Sequence, residues 1–287
     1  MDNIIELPDY AELKKEVGEL REKLSKLIYE HDDLKYTICE NIKNKYILEI
    51  GSLEYKAYEL YCDYLRLRRK KDLIQAKVNR KEKANLKEIE KQLDSEFLEY
   101  KDILDYRLSQ INDAIEYSEK PILTPDQVYE FKKIYRRLIK DLHPDLHPDL
   151  SDEERELFYR VIDVYKNGDF YMMNILNEIV NEKKEIDPIN DSLLNLKNEK
   201  ERLTSLIEKI SFEINNIKET EPYIWKKYLE DEEEKNKKIK EIKNQIDSFL
   251  EAIKTQEEYI KSIMEIKYEW FNKKGWRYIN CNYKSKK

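Results

Sequence analysis

No proline interrupts the chain between Pro8 and Pro121, and the whole sequence holds only four glycines. Proline removes a backbone donor and breaks helices. A stretch this long without it is free to form helix throughout. Sheet sandwiches and barrels need many turns, and turns draw on Gly and Pro. Glycine clusters that let backbone approach a phosphate are equally absent, which argues against a dinucleotide fold or a phosphate-loop enzyme. Charged residues make up 40% of the 287 residues, well above the roughly 25% of an average globular domain. Hydrophobic content of 40% with 22 tyrosines argues against full disorder. The expected class is all-α: long coiled-coil or helical-hairpin arms with a modest core.

Five prolines fall together, at Pro121, Pro125, Pro144, Pro148 and Pro188, and only Pro222 follows. They divide the chain into an N-terminal arm (1–120), a compact middle (121–185) and a C-terminal arm (186–287). In the first arm Leu13, Val17, Leu20, Leu24, Leu27, His31, Leu34 and Ile38 alternate by four and three, the spacing of a coiled-coil seam. The frame breaks near Gly51 and restarts at Leu53, Ala57, Leu60, Tyr64 and Leu67. Polar residues 79–85 suit either a reversal or a solvated helix. A third stretch holds Leu86, Ile89, Leu93, Tyr100, Leu104, Ile111 and Ile115. In the second arm Leu196, Leu203, Ile207, Ile210 and Ile214 share one frame, and Ile239, Ile242, Ile246, Phe249 and Ile253 another. Such narrow stripes need a partner helix. An antiparallel stalk between the arms satisfies the pattern, and so does self-association with a second chain.

The chain begins without a secretory pattern, and no run reaches the roughly 18 apolar residues of a membrane span. Cys39, Cys62 and Cys281 are odd in number and widely spaced, so they form neither a metal-ligand pair nor a disulfide framework. A cytoplasmic, membrane-free setting is expected. The net charge of −7 argues against nucleic acid as the main partner. A basic run from Arg66 to Lys83 is the local exception, and it reads first as a solvated helix face. His31, inside a seam, reads as a polar residue that tunes register rather than as a pH sensor. Trp270, Phe271, Trp276, Tyr278 and Tyr283 read as an aromatic cap on the stalk end.

The middle segment is the most specific. Thr124, Pro125 and Gln127 spell a capped helix start, with Pro at the first helical position. Val128, Phe131, Tyr135, Leu138 and Leu142 then form an apolar stripe, while Lys132, Lys133, Arg136, Arg137 and Lys140 fall on the opposite side. Pro144 ends this helix near His143. The loop His143-Pro144-Asp145-Leu146-His147-Pro148-Asp149 follows, then a second capping box, Ser151 with Glu154. The next helix buries Leu157, Phe158, Val161, Ile162 and Tyr165 and ends at Asn167-Gly168. A final short helix carries Met172, Met173, Leu176 and Ile179.

This segment resembles the J domain of DnaJ-type co-chaperones. Tyr135-Arg136-Arg137-Leu138 precedes His143-Pro144-Asp145, and Phe158, Val161 and Tyr165 fit that family's third-helix frame FxxIxxAY. The resemblance implies two antiparallel helices joined by an exposed His-Pro-Asp loop. It implies docking of His143, Pro144 and Asp145 on a DnaK-type chaperone ATPase, with Lys132, Lys133, Arg136, Arg137 and Lys140 steering toward an acidic surface. The chemistry would be the partner's, so the chain is expected to be no enzyme and to hold no cofactor or metal. His147-Pro148-Asp149 has the wrong spacing to the helix and reads as a variant of the polar loop after the motif. Some family features are missing. The first J helix, with its Tyr-x-x-Leu-Gly ending, is not recognisable before Thr124; Lys120–Leu123 or a helix over Leu104–Tyr117 could replace it. A Gly/Phe-rich linker and cysteine zinc modules are also lacking, so any client protein would be held by the arms. A coiled-coil scaffold with a non-stimulating J-like fold, and a nucleic-acid-associated coiled coil using Arg66 to Lys83, are the alternatives.

Overall fold

The structure, a computed structural model, describes residues 8–82, 84–120, 122–182 and 193–283; for 8–9, 182 and 266–283 it describes the backbone alone. Among the described residues every regular element is helical. In order they are α1 (Pro8–Asp32), a π-helical turn (Asp33–Ile38), α2 (Cys39–Tyr46), a second π-helical turn (Ile47–Gly51), α3 (Ser52–Asn79), α4 (Leu86–Glu96), α5 (Leu98–Glu119), α6 (Pro125–Leu142), α7 (Asp152–Asn167), α8 (Phe170–Glu182), α9 (Leu193–Glu219), a 3-10 turn (Tyr223–Trp225), α10 (Lys226–Glu230) and α11 (Glu232–Tyr283). The all-α class holds. The break in heptad frame near Gly51 coincides with the π turn Ile47–Gly51, where the wider turn takes in extra backbone and rotates the seam. No described helix is long and apolar enough to cross a membrane.

The chain forms two compact units, one from residues 1–43 and 120–226, the other from 44–119 and 227–287. These are drawn differently from the three segments read along the sequence. Each arm is divided between the units: α1 of the first arm packs on α9 of the second, and α3 of the first packs on α11 of the second.

The first unit has one core. It takes Phe131, Ile134, Tyr135, Leu138, Ile139 and Leu142 from α6, and Leu157, Phe158, Val161 and Tyr165 from α7. Met173, Leu176 and Val180 of α8 and Leu146 of the loop join them, with Leu13, Val17, Leu24 and Ile28 of α1 and Leu196, Leu203 and Ile207 of α9. The α6 stripe is wider than expected: Ile134 and Ile139 are buried and Val128 is exposed. Helices pack on two sides of α6, so a single narrow stripe is not enough. In α8 the buried set is likewise shifted, to Met173, Leu176 and Val180, with Met172 and Ile179 exposed. Neither substitute envisaged for a first J helix contributes. Ile122 is 94% exposed, and Leu104–Tyr117 belongs to the second unit. α1 and α9 close the core in their place.

α1 and α9 run parallel, as the order of their ion pairs shows: Glu16 with Lys200 at 2.6 Å, Arg21 with Glu199 at 3.1 Å, Glu30 with Lys218 at 2.7 Å. In the second unit α4 and α5 return antiparallel along α3. Arg66 meets Glu90 and Asp94 at 2.8 and 2.7 Å, and the Arg107 guanidinium lies 4.4 Å from the ring centre of Tyr58. α3 ends in a turn at Arg80 and Lys81, with Lys81 in left-handed geometry (φ 61°), and Asn85 caps α4. α11 runs parallel to α3, through Glu49–Lys235 (2.8 Å), Glu54–Lys238 (3.0 Å), the Tyr61–Phe249 ring pair and the core shared by Ile74 and Ile263. The pairing between arms is therefore parallel within one chain, not the antiparallel stalk considered from the sequence. The aromatic residues from Trp270 to Tyr283 lie outside the described side chains.

Because α1 and α9 supply part of the core around α6 and α7, a fragment covering 119–185 is expected to melt without cooperativity while the full chain melts cooperatively. Circular dichroism against temperature checks this; a cooperative transition in the fragment would show that α6, α7 and α8 suffice.

Candidate functional site

The two helices that flank the loop, α6 and α7, are bounded by local signals in the sequence. Thr124 and Gln127 form the expected reciprocal cap at the start of α6, and Ser151 and Glu154 do the same for α7. Gly168, at φ 67°, ends α7 in the left-handed region that glycine tolerates best. α6 and α7 are antiparallel: Phe131 and Tyr135 of α6 stack on Tyr165 near the end of α7, with ring centres 5.3 and 3.6 Å apart. At the other end the His143 ring meets Phe158 edge-on at 5.0 Å.

Within the loop the His143 carbonyl accepts from the amides of Leu146 and His147, each at 2.9 Å. Leu146 is buried in the core and pins the loop from inside. The Asp145 amide donates to His143 Nδ1 at 3.1 Å, which leaves Nδ1 unprotonated and the proton on Nε2. Burial lowers the His143 pKa, opposed by the negative charges of Asp145 and Asp32 and aided by His147 and His31. The ring is therefore neutral at pH 7. Pro144 is half-buried and Asp145 exposed. The second His-Pro-Asp has a separate job. Nε2 of His147 lies 2.8 Å from the Lys140 carbonyl, an acceptor, so the ring donates and closes the C-terminus of α6. The Pro148 and Leu150 carbonyls accept from Arg155 at 3.0 and 3.1 Å.

The five expected cations of α6 share one side of the helix, but α1 and α8 hold most of them. Lys132 pairs with Asp33 at 2.7 Å, Arg136 stacks 4.1 Å from the ring centre of Tyr29, and Lys140 pairs with Glu22. Lys140 holds the Glu22 carboxyl below its usual range, by hydrogen bond and then by charge. Arg137 donates to the Asn177 carbonyl at 3.2 Å and to its side chain. Lys133 contacts Glu130 on its own helix at 3.2 Å. With Ser25, Lys26 and Tyr129 these residues line an open groove of about 780 Å³ between α1 and α6.

Several neighbours of the loop carry no sequence signal. Arg202 of α9 donates to the Asp145 carbonyl at 2.8 Å, and no periodicity points from position 202 to 145. Asp32 is 6% exposed, yet accepts from the Tyr135 hydroxyl at 2.7 Å and lies 3.0 Å from His31 Nδ1. Asp33 accepts from the Tyr165 hydroxyl at 2.9 Å. The seam reading singled out His31; its two acidic neighbours, off the seam, make the contacts to α6 and α7.

The basic run on α3 is answered by acids. Arg66, Arg69 and Lys70 pair with Glu90, Asp94 and Glu96 of α4, Lys71 with Asp72, and Lys77 with Glu82. These five cations lie interleaved with acids, as on a solvated helix face. Cys39 and Cys62 are buried and unpaired, and burial pushes both thiols up, away from reactivity.

A prediction follows from the His143 ring. Its folded pKa lies below the unfolded value of about 6.5, so the unfolded chain binds the proton more readily. Stability from this group is full above that pH and falls as pH drops from there through the folded pKa. NMR titration of the His143 ring is expected to give a midpoint below 6.5, with acid loss of stability smaller in His143→Gln than in the wild type. A midpoint at or above 6.5 would show that the ring is not desolvated against Phe158.

No family model, curated protein or solved structure matches the chain.

Proposed function

We propose that the first unit works as a J-domain-like co-chaperone module, which docks on a DnaK-type chaperone and stimulates its ATPase. The observation that carries this reading is the loop: His143-Pro144-Asp145 joins antiparallel α6 and α7, its shape held by bonds within it, with the Asp145 residue exposed. Beside it lie Lys132, Lys133, Arg136, Arg137 and Lys140. The chain's part is recognition and triggering; the hydrolytic chemistry belongs to the ATPase. The neutral His143 ring keeps Nδ1 as acceptor for the loop and leaves Nε2–H as a donor. The α6 cations speed encounter with an acidic surface, an effect that weakens with salt. The paired helices α1–α9 and α3–α11 are the surfaces left for a client or partner.

One observation favours a second reading, that of a scaffold with a non-stimulating J-like fold. Glu22 and Tyr29 of α1 and Asp33 of the π turn after it already engage Lys140, Arg136 and Lys132. Docking would have to exchange these contacts for the partner's acids. Lys140 and Glu22 are both more than half exposed, and exposed pairs are weak. Their exchange costs little, and that favours the active reading.

The test is the single-turnover ATPase rate of a DnaK-type chaperone with the full chain added. Stimulation is expected, and is expected to vanish in His143→Gln and Asp145→Asn. A folded wild type that gives no stimulation would establish the scaffold reading instead. In the same assay Glu22→Gln, which frees Lys140, is expected to lower the concentration for half-maximal stimulation by no more than roughly fivefold. A rise in that concentration would mean that Glu22 supports docking rather than competing with it.

A further inference from the structure

We infer that Arg202 on α9 is a positioning residue for the His143-Pro144-Asp145 loop: its guanidinium joins the loop backbone to the α1–α9 pair and holds the loop in its docking shape. This rests on the co-chaperone reading and goes beyond it, since α9 lies outside the segment that resembles a J domain.

The geometry is a short relay. Nη1 of Arg202 donates to the Asp145 carbonyl at 2.8 Å. Its Nε and Nη2 grip Glu199 at 2.7 and 2.9 Å in a two-pronged pair. Glu199 in turn accepts from Nε and Nη2 of Arg21, on α1, at 3.3 and 3.1 Å. The two arginines hold the Glu199 carboxyl below its usual range, Arg202 contributing most. One residue on, Leu203 is fully buried, so the backbone that carries Arg202 is fixed in the core. The loop is thus held from two sides, by Leu146 inside and by Arg202 outside. Its internal bonds start from His143, and the Arg202 bond reaches the loop at Asp145 itself.

The residue type matters. A planar guanidinium can point one N–H at a carbonyl while two others hold a carboxylate in the same plane. A lysine ammonium carries the same charge but no fixed fork. Charge alone and geometry therefore predict different outcomes. If Arg202 only adds positive charge near the docking face, lysine replaces it. If it positions the loop, lysine does not.

The experiment compares the full-length wild type with Arg202→Gln, Arg202→Lys and a control on the same helix, Lys197→Gln. Two readouts are taken: chaperone ATPase stimulation against concentration, and amide hydrogen exchange at Asp145, Leu146 and His147. Both Arg202 variants are expected to exchange faster at these three amides, with α6 and α7 amides unchanged. Both are expected to lower maximal stimulation by on the order of tenfold, the scale of one charge-assisted hydrogen bond, while Lys197→Gln behaves as wild type. Wild-type behaviour of Arg202→Lys, with only Arg202→Gln impaired, would overturn the positioning role in favour of simple charge. Unchanged loop exchange in both variants would overturn it as well. A wild type that fails to stimulate overturns the co-chaperone reading and the functional half of this inference with it; stimulation undiminished in Arg202→Gln overturns this inference alone.

Discussion

Two adjacent carboxylates at the end of α1 hold the first unit together. Asp32 accepts from the Tyr135 hydroxyl at 2.7 Å and Asp33 from the Tyr165 hydroxyl at 2.9 Å. The two rings are stacked, 3.6 Å between centres, so their hydroxyls are presented side by side. A π-helical turn starts at Asp33, directly after Asp32. A buried carboxylate without partners is costly. Asp32 is satisfied by Tyr135 and His31, and Asp33 by Tyr165 and Lys132. Burial, followed by the nearby acid, raises the Tyr135 pKa, and burial also leads the rise at Tyr165. Both hydroxyls therefore keep the protons that the acids need.

This joint decides what the cations of α6 can do. Once α1 is tied at Asp32 and Asp33, its preceding turns pass along α6 and bring Tyr29 to Arg136 and Glu22 to Lys140. Ion-pair strength differs along the row. Asp33 is mostly shielded and Lys132 partly so, which makes that pair part of the structure. Lys140 and Glu22 stand in solvent, where water and salt screen them. Lys140, nearest the His143 loop, is thus more easily released to a partner than Lys132. Steering charge and structural charge lie on one helix.

Local signals in the sequence were legible because their physics is local. Both capping boxes, the α6 stop before Pro144 and the Gly168 terminus involve residues a few positions apart. The loop and the cation row were readable for the same reason. The heptad stripes announced that partners were needed, but stripes carry no direction, and a parallel pair within one chain is not visible from spacing. Asp32, Asp33 and Arg202 were not legible at all. Their partners lie across the fold, and an acid off a seam or an arginine on a charged helix looks like any other solvated residue until packing excludes water from it. The widened α6 stripe has the same origin: Ile134 and Ile139 are buried because helices from distant segments pack there.

The arrangement of α1 explains why such distant contacts can be specific. Its buried residues Val17, Leu24 and Ile28 enter the core. Glu22, Tyr29 and Asp33 serve α6, while Glu16, Arg21 and Glu30 serve α9. Individually the exposed pairs contribute little stability. Jointly they fix register, because sliding α1 by one turn would separate every pair on both sides and withdraw Asp32 and Asp33 from the stacked tyrosines. Register in turn sets Arg21 beside Glu199, and through Glu199 the aim of Arg202 at the Asp145 carbonyl. Hydrophobic burial binds α1 to the core without choosing among registers; the polar contacts at its two edges make the choice, and the shape of the loop depends on it.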